Sequence, residues 1–185
     1  MTPILRSRKS HLDSRDAIRH SNSSVEFAWR AHAAQESWTG KVDTKASILL
    51  ALEGGMLFAV ASTSAKGGVL SELSPLGKIV EICGIAALLV AIITSAAAVY
   101  PQLGPPQEHA NRHADNFIYF GHLQHWHPPM LERSLKNQDG LDQLAALARQ
   151  LVSMSKINWR KHRLVQVSIV FSILNLACFV TAATV

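Results

Sequence analysis

The sequence predicts an all-α membrane protein, with three transmembrane helices and cytoplasmic helical extensions. Three observations predict it. Residues 46–65, 82–100 and 164–185 are uninterrupted apolar runs of 20, 19 and 22 residues. About 20 such residues, rising 1.5 Å each, cross a hydrocarbon core roughly 30 Å thick. The second and third runs contain no Asp, Glu, Lys or Arg, and the first contains only Glu53; core helices of soluble proteins rarely stay charge-free for so long. The flanks of the second run also carry breakers, with Gly67, Gly68 and Pro75 before it and Pro101, Pro105 and Pro106 after it, so the runs are separate elements.

Taken in order, residues 1–24 form a basic polar N-terminal tail. Arg6, Arg8, Lys9, Arg15 and Arg19 suit a mobile segment beside an anionic leaflet, or simply a solvated terminus. Ser23 or Ser24 can cap a cytoplasmic helix over 25–45, with Glu26 at its positive end, and Gly40 is a place for it to bend or break. Residues 46–65 make the first transmembrane helix and 66–81 an external connector, a turn with little structure. Residues 82–100 make the second transmembrane helix. The cytoplasmic helical region 101–163 holds a short helix over 111–126, stopped by Pro128 and Pro129, and a long one starting at Leu141 after Asp139 and Gly140. Nothing breaks that helix before the C-terminus. Its 45 residues would extend about 68 Å, twice what a bilayer needs, so the third transmembrane helix, 164–185, projects well into the cytoplasm.

Charge sets the orientation. Residues 1–45 hold eight Lys/Arg and five Asp/Glu, residues 101–163 hold eight and five, and the connector holds Lys66 and Lys78 against Glu72 and Glu81. Cytoplasmic segments retain Lys and Arg, which places the N-terminus and 101–163 in the cytoplasm. The polar first 45 residues leave no cleavable signal peptide, and the first run reads as a signal anchor. Cys83 and Cys178 fall within the runs and form no disulfide framework. A bridge between them is geometrically conceivable, but they read better as small apolar residues.

Leu144, Leu147, Leu151 and Met154 follow a 3-4-3 spacing, the seam of a helix pair, which next reaches Asn158 and Lys161. Two uses suit this seam, packing on the 25–36 helix of the same chain or self-association.

Within the first run, Glu53 is costly in lipid, and such groups usually face a bundle interior or a wet cavity. It reads either as a gate or pore-lining group or as a protonated carboxyl with a partner on a neighbouring helix. Small residues recur every fourth position, Ser47, Ala51, Gly55 and Ala59 on the first run and Cys83, Ala87, Ala91 and Ser95 on the second. Such stripes let membrane helices approach closely, here within the subunit in preference to between subunits. Asn175 is a further interhelical hydrogen-bonder.

The 101–163 region carries His109, His113, His122, His125 and His127. His109 and His113 could share a helix face, but without Cys the spacing matches no zinc pattern, and no metal or cofactor is expected. There is no Gly-rich phosphate loop, nucleophile elbow or paired-carboxylate pattern, so the chain is not expected to be an enzyme. A membrane enzyme acting on lipid would have only Glu53 and Asn175 to work with. Two basic-aromatic clusters remain: Lys41, Asp43 and Lys45, and Lys156, Trp159, Arg160, Lys161 and Arg163. Such residues commonly anchor helices at the interface. They also suit an anion site, where Arg clasps a phosphate and Trp stacks on a base, with Tyr119, Phe120, His122 and Trp126 as further walls. Asp43 is no anchor. It could pair with a lysine or accept from a ligand.

These residues carry a family resemblance. The segment Val42-Asp43-Thr44-Lys45-Ala46-Ser47-Ile48-Leu49-Leu50-Ala51-Leu52 resembles the Asp-x-Lys motif that opens the first membrane helix of Pycsar transmembrane effectors, from the pyrimidine cyclase system for antiphage resistance. Tyr119-Phe120-Gly121-His122 and Ser155-Lys156-Ile157-Asn158-Trp159-Arg160-Lys161-His162 resemble two later blocks of that family, in the same order against the spans. The resemblance covers roughly residues 25–183. Glu53 departs from the neutral polar residue that the family often carries there. The resemblance implies an effector of the bacterial cell inner membrane, multi-pass with a cytoplasmic N-terminus. It would sense cyclic UMP or cyclic CMP made by a partner pyrimidine cyclase and impair the membrane as a homo-oligomer, causing abortive infection. Asp43, Lys45, Tyr119, His122, Lys156, Trp159 and Arg160 are then the candidate ligand-binding residues, and Glu53 and Asn175 the candidate gating residues. The alternative is a small constitutive transporter or ion-channel accessory subunit.

Overall fold

A computed structural model of the chain describes residues 3–184 apart from Lys66, Val69 and Ser71, with the side chains of residues 3–21 and of Asp115 outside the description. The elements are α1 (Pro3–Ser64), α2 (Pro75–Val99), α3 (Pro106–Arg112), α4 (Phe120–Leu123), α5 (Pro128–Asn137) and α6 (Gly140–Ala182), with a 3-10 turn at His113–Asp115. No strand occurs among the described residues. Three stretches, Asn22–Ser64, Pro75–Val99 and Gly140–Ala182, are long and apolar enough to cross a membrane. The all-α, three-span reading therefore holds.

The helices depart from expectation in five places, each with a local reason. Ser23 and Ser24 lie inside α1 and do not cap it, because no Gly or Pro falls between Pro3 and Gly40. The mobile tail expected over 1–24 falls mostly on residues whose side chains lie outside the description. Gly40 does not break α1; a mid-helix glycine costs only about 1 kcal/mol against alanine, and Thr39 and Val42 on either side of it are packed. Pro75 opens α2 and does not belong to a loop: Ser74 Oγ accepts from Gly77 N at 3.0 Å and the proline occupies the first turn, where its missing N–H is no loss. Pro128 and Pro129 likewise open α5, where a stop was expected. The helix expected over 111–126 is interrupted at Asn116, whose Oδ1 accepts from Ile118 N at 2.8 Å and Tyr119 N at 3.2 Å, so an Asx turn outcompetes the helical ladder. The α6 start is as read, with Asp139 Oδ1 accepting from Leu141 N and Asp142 N.

The chain divides into two compact units. The first comprises Met1–Ser37 and Gln102–Lys156. Here Ala28 and His32 of α1 and Ala146 and Leu147 of α6 are buried. Phe27 and Ala28 line a shared groove with Leu144, Ala148 and Leu151. The leucine seam and the Phe27–Ala28 face of α1 thus line one groove of this unit.

The second unit comprises Trp38–Pro101 and Ile157–Val185. Its three helices bury or half-bury stripes that repeat every seven residues: Val42, Leu49 and Met56 with Thr39, Ala46, Glu53 and Val60 on α1; Gly77, Gly84, Ala91 and Ala98 on α2; Lys161, Ser168, Asn175 and Ala182 with Asn158, Val165 and Ser172 on α6. A 3.5-residue period is the condition for helices that wrap around one another. Small residues on α2 permit close contact: a Cβ on Gly84 would lie 3.0 Å from Cys178 Cβ, and one on Gly77 would lie 3.3 Å from Ala182 O. Ile48, Leu52, Phe58, Ile82, Ile93 and Ile173 are exposed instead. Polar and small residues inside with branched apolar ones outside is the arrangement of a lipid-facing bundle. The Ser47, Ala51, Gly55 and Ala59 stripe is exposed, contrary to the expected packing within the subunit, because the seam of α1 runs through Ala46 and Glu53. On α2, Ala87, Ala91 and Ser95 are buried as expected while Cys83 is exposed. Both cysteines are free.

Candidate functional site

The expected ligand residues divide between the two units. In the Trp38–Pro101 and Ile157–Val185 unit, Asp43 is not presented to a ligand alone. Its Oδ1 accepts from Lys161 Nζ at 2.6 Å, with the lysine side chain 8% exposed and the aspartate 38%. Thr39 Oγ1, one turn before it, donates to Asn158 Oδ1 at 2.6 Å. The two polar positions on the α6 seam are therefore both used to fasten α1. Lys45 and Arg160 point outward and Trp159 is 70% exposed.

Deeper in the same bundle, Glu53 is fully buried and joins all three long helices. Its Oε2 accepts from Ser95 of α2 at 2.5 Å, and its Oε1 accepts from Ser168 at 2.5 Å and Ser172 at 3.0 Å, both on α6. A buried carboxyl is tolerated when its lone pairs are occupied in this way. Ser95 Oγ also lies 3.1 Å from Ile92 O of its own helix. Asn175, one turn beyond Ser172, donates to Met56 Sδ at 3.9 Å, and its buried Oδ1 has no partner. In this arrangement Glu53 is an interhelical partner of α2 and α6.

In the Met1–Ser37 and Gln102–Lys156 unit, Tyr119 and His122 come together. Tyr119 stacks at 5.4 Å on His109 and 5.6 Å on His122, and His109 Nδ1 lies 3.3 Å from His122 Nε2. His109 Nε2 meets the Leu103 carbonyl. A carbonyl only accepts, so that nitrogen carries a hydrogen. Burial pushes the Tyr119 hydroxyl above its ordinary value, keeping it a neutral donor to Leu103 O at 3.4 Å. Gly104, at φ 73, makes the turn that brings this carbonyl in; a Cβ there would lie 2.9 Å from His109 Nε2. Beside the pair is a cavity of about 220 Å³ lined by His109, His122, Arg112, Arg149, Asn116 and Ser153, with Glu108 at its wall. Lys156 belongs to this unit and is exposed. His109 and His113, which the spacing allowed to share a helix face, take different partners. His109 meets His122, His113 meets His125 and Trp126, and no metal-binding group of three occurs among the described residues.

Sequence reasoning passed over Ser168, Ser172, Arg112 and Arg149. The first two had a signal: continuing the leucine seam of α6 by threes and fours through Asn158 and Lys161 lands on Ser168, Ser172 and Asn175. The arginines had none, because only the Asx turn at Asn116 brings α3 and α6 to one cavity.

A family model described as the Pycsar effector protein domain matches residues 27–185. No protein of known function and no solved structure matches the chain. The chain belongs to the Pycsar effector family, whose role is antiphage defence.

Proposed function

We propose that this Pycsar effector lies dormant until a partner pyrimidine cyclase supplies cyclic UMP or cyclic CMP, and that the bound nucleotide then drives it to impair the bacterial inner membrane. The infected cell dies before phage mature. The observation that carries this reading is the family match over 27–185, which takes in all three apolar helices. The Lys/Arg excess puts the N-terminus and 101–163 in the cytoplasm, where a soluble nucleotide reaches Tyr119, His122 and Lys156 in one unit and Asp43, Lys45, Trp159 and Arg160 in the other. No catalytic group is needed, because a ligand works here only through its unequal affinity for the closed and open states. Glu53 and Asn175 are the gating groups. Freed from the three serines, the Glu53 carboxylate would offer a polar lining to ions. The exposed Ser47, Ala51, Gly55 and Ala59 stripe supports assembly of several copies, since small residues let membrane helices approach closely.

The test is membrane potential in cells expressing the chain with and without a co-expressed pyrimidine cyclase. Depolarisation only with the cyclase is the expected result. An unchanged potential, with the protein found in the inner membrane and the nucleotide measured in the cell, overturns the reading.

A further inference from the structure

We infer that the exposed cations at the end of the Trp38–Pro101 and Ile157–Val185 unit where α1 and α6 enter it bind the phosphate headgroups of acidic phospholipids. This site goes beyond the nucleotide-sensing reading and does not rest on it. On α1, Trp38, Lys41, Lys45, Ile48 and Leu52 are all exposed. Their 3-4-3-4 spacing puts them on one face of the helix. That face passes from cationic to aliphatic within one turn, between Lys45 and Ile48. On α6, Arg163, Val170 and Leu174 are exposed, and separations of seven and eleven residues again make one face. The aliphatic part of each face meets lipid, so the cations at its end stand at headgroup level.

The two faces stand at one depth. Thr39 Oγ1 donates to Asn158 Oδ1 and Lys161 Nζ donates to Asp43 Oδ1, each at 2.6 Å. These contacts set 39–43 beside 158–161, so α1 and α6 run side by side in one direction. Lys41 and Lys45 are therefore level with Arg160 and Arg163. The charge there is one-sided. Asp43 is the only acidic residue in 38–52, and 157–174 contains none. Asp43 is already engaged by the buried Lys161, which leaves the outward charge of both faces positive. Juxtamembrane cations of this kind attract anionic lipids, and a guanidinium fork fits a phosphate. Trp38, 55% exposed on the lysine face, adds an amphipathic ring suited to the same level.

The experiment reconstitutes the full chain, without nucleotide, in phosphatidylcholine vesicles carrying a small fraction of brominated phosphatidylglycerol or of brominated phosphatidylcholine. Quenching of tryptophan fluorescence reads the relative affinity, with Trp38 and Trp159 as the nearest reporters. The acidic lipid should bind about tenfold more tightly than the zwitterionic one. High salt should shrink that preference, because exposed charges are screened. Lys41→Gln with Arg163→Gln should cut it about threefold or more. Lys41→Arg with Arg163→Lys keeps the charge and should keep the preference. Equal quenching by the two lipids in the parent overturns the inference. So does an undiminished preference in the glutamine variant, or its loss in the charge-keeping variant, which would make packing the cause. Glycerol phosphate, the headgroup chemistry without acyl chains, should not compete at millimolar concentration. If it does, the cations hold a free phosphate and the lipid is the wrong occupant.

Discussion

The two units use one helical device in opposite chemistries. Along α6, the seam is Leu144, Leu147, Leu151 and Met154 in the Met1–Ser37 and Gln102–Lys156 unit, and Asn158, Lys161, Val165, Ser168, Ser172 and Asn175 in the Trp38–Pro101 and Ile157–Val185 unit. The spacing is unchanged, but the inward side chains pass from wholly apolar to mostly polar, with Val165 the apolar exception. Water drives leucines inward because apolar surface is costly there. Lipid gives no such drive, and helices associate through close packing and hydrogen bonds. The helix with the polar seam displays Ile169, Val170 and Ile173 outward, and that inversion is what marks its unit as the membrane part.

The sharpest way to break this contrast is to make the same truncation in both units. Leu147 and Leu88 are each fully buried. Leu147→Ala should cost about 3 kcal/mol through lost transfer energy and a cavity. Leu88→Ala should cost roughly half of that, because the unpacked state leaves the side chain in lipid. Unfolding curves of the purified protein in bicelles measure both, and equal losses would refute a lipid surround for α2. Glycine comes next. Gly84→Val should cost about 2 kcal/mol by forcing α2 from Cys178, while Gly54→Val, which meets nothing within 4 Å, should lie within about 0.5 kcal/mol of the parent. A cross-linking yield between α2 and α6 would fall for the first and hold for the second.

Ser168→Ala with Ser172→Ala removes both donors to Glu53 Oε1 and should cost about 1–3 kcal/mol. Adding Glu53→Leu should recover part of that loss, a reversal that thermal melts can read. Asp139→Ala removes the cap of α6 and should cost about 1 kcal/mol, seen as faster amide exchange over the first turn of α6. The smallest effect is Glu26→Gln. Its pair with Arg30 at 3.7 Å is about 70% exposed on both sides, so the melting temperature should stay within a degree or so.

Much of the fold was legible because its signals are local. Three charge-poor runs, the Asp139 cap and the leucine seam each lie within a few residues of what they specify. The misreadings were also local signals, taken in the wrong sense. Pro75 and Pro128 are breakers to the chain before them and starters to the chain after them, and only the capping geometry tells which applies. Gly40 and Ser23 promised ends that the continuous helix overrode.

The candidate site was less legible. Glu53 stood out as a buried charge, yet its three serines lie 42, 115 and 119 positions away. Asp43 stood out as an acid among lysines, yet its partner Lys161 is 118 positions away. The sequence by itself determined that there are three apolar helices, which segments connect them, and that α6 carries a continuous seam, because period and hydropathy are properties of neighbouring residues. Only the tertiary structure decided that Glu53 is tied to α2 and α6, that Asp43 is spent on Lys161, and that Arg112 and Arg149 share a cavity. A hydrogen bond or ion pair depends on distances of about 3 Å between groups whose separation along the chain says nothing of their separation in space.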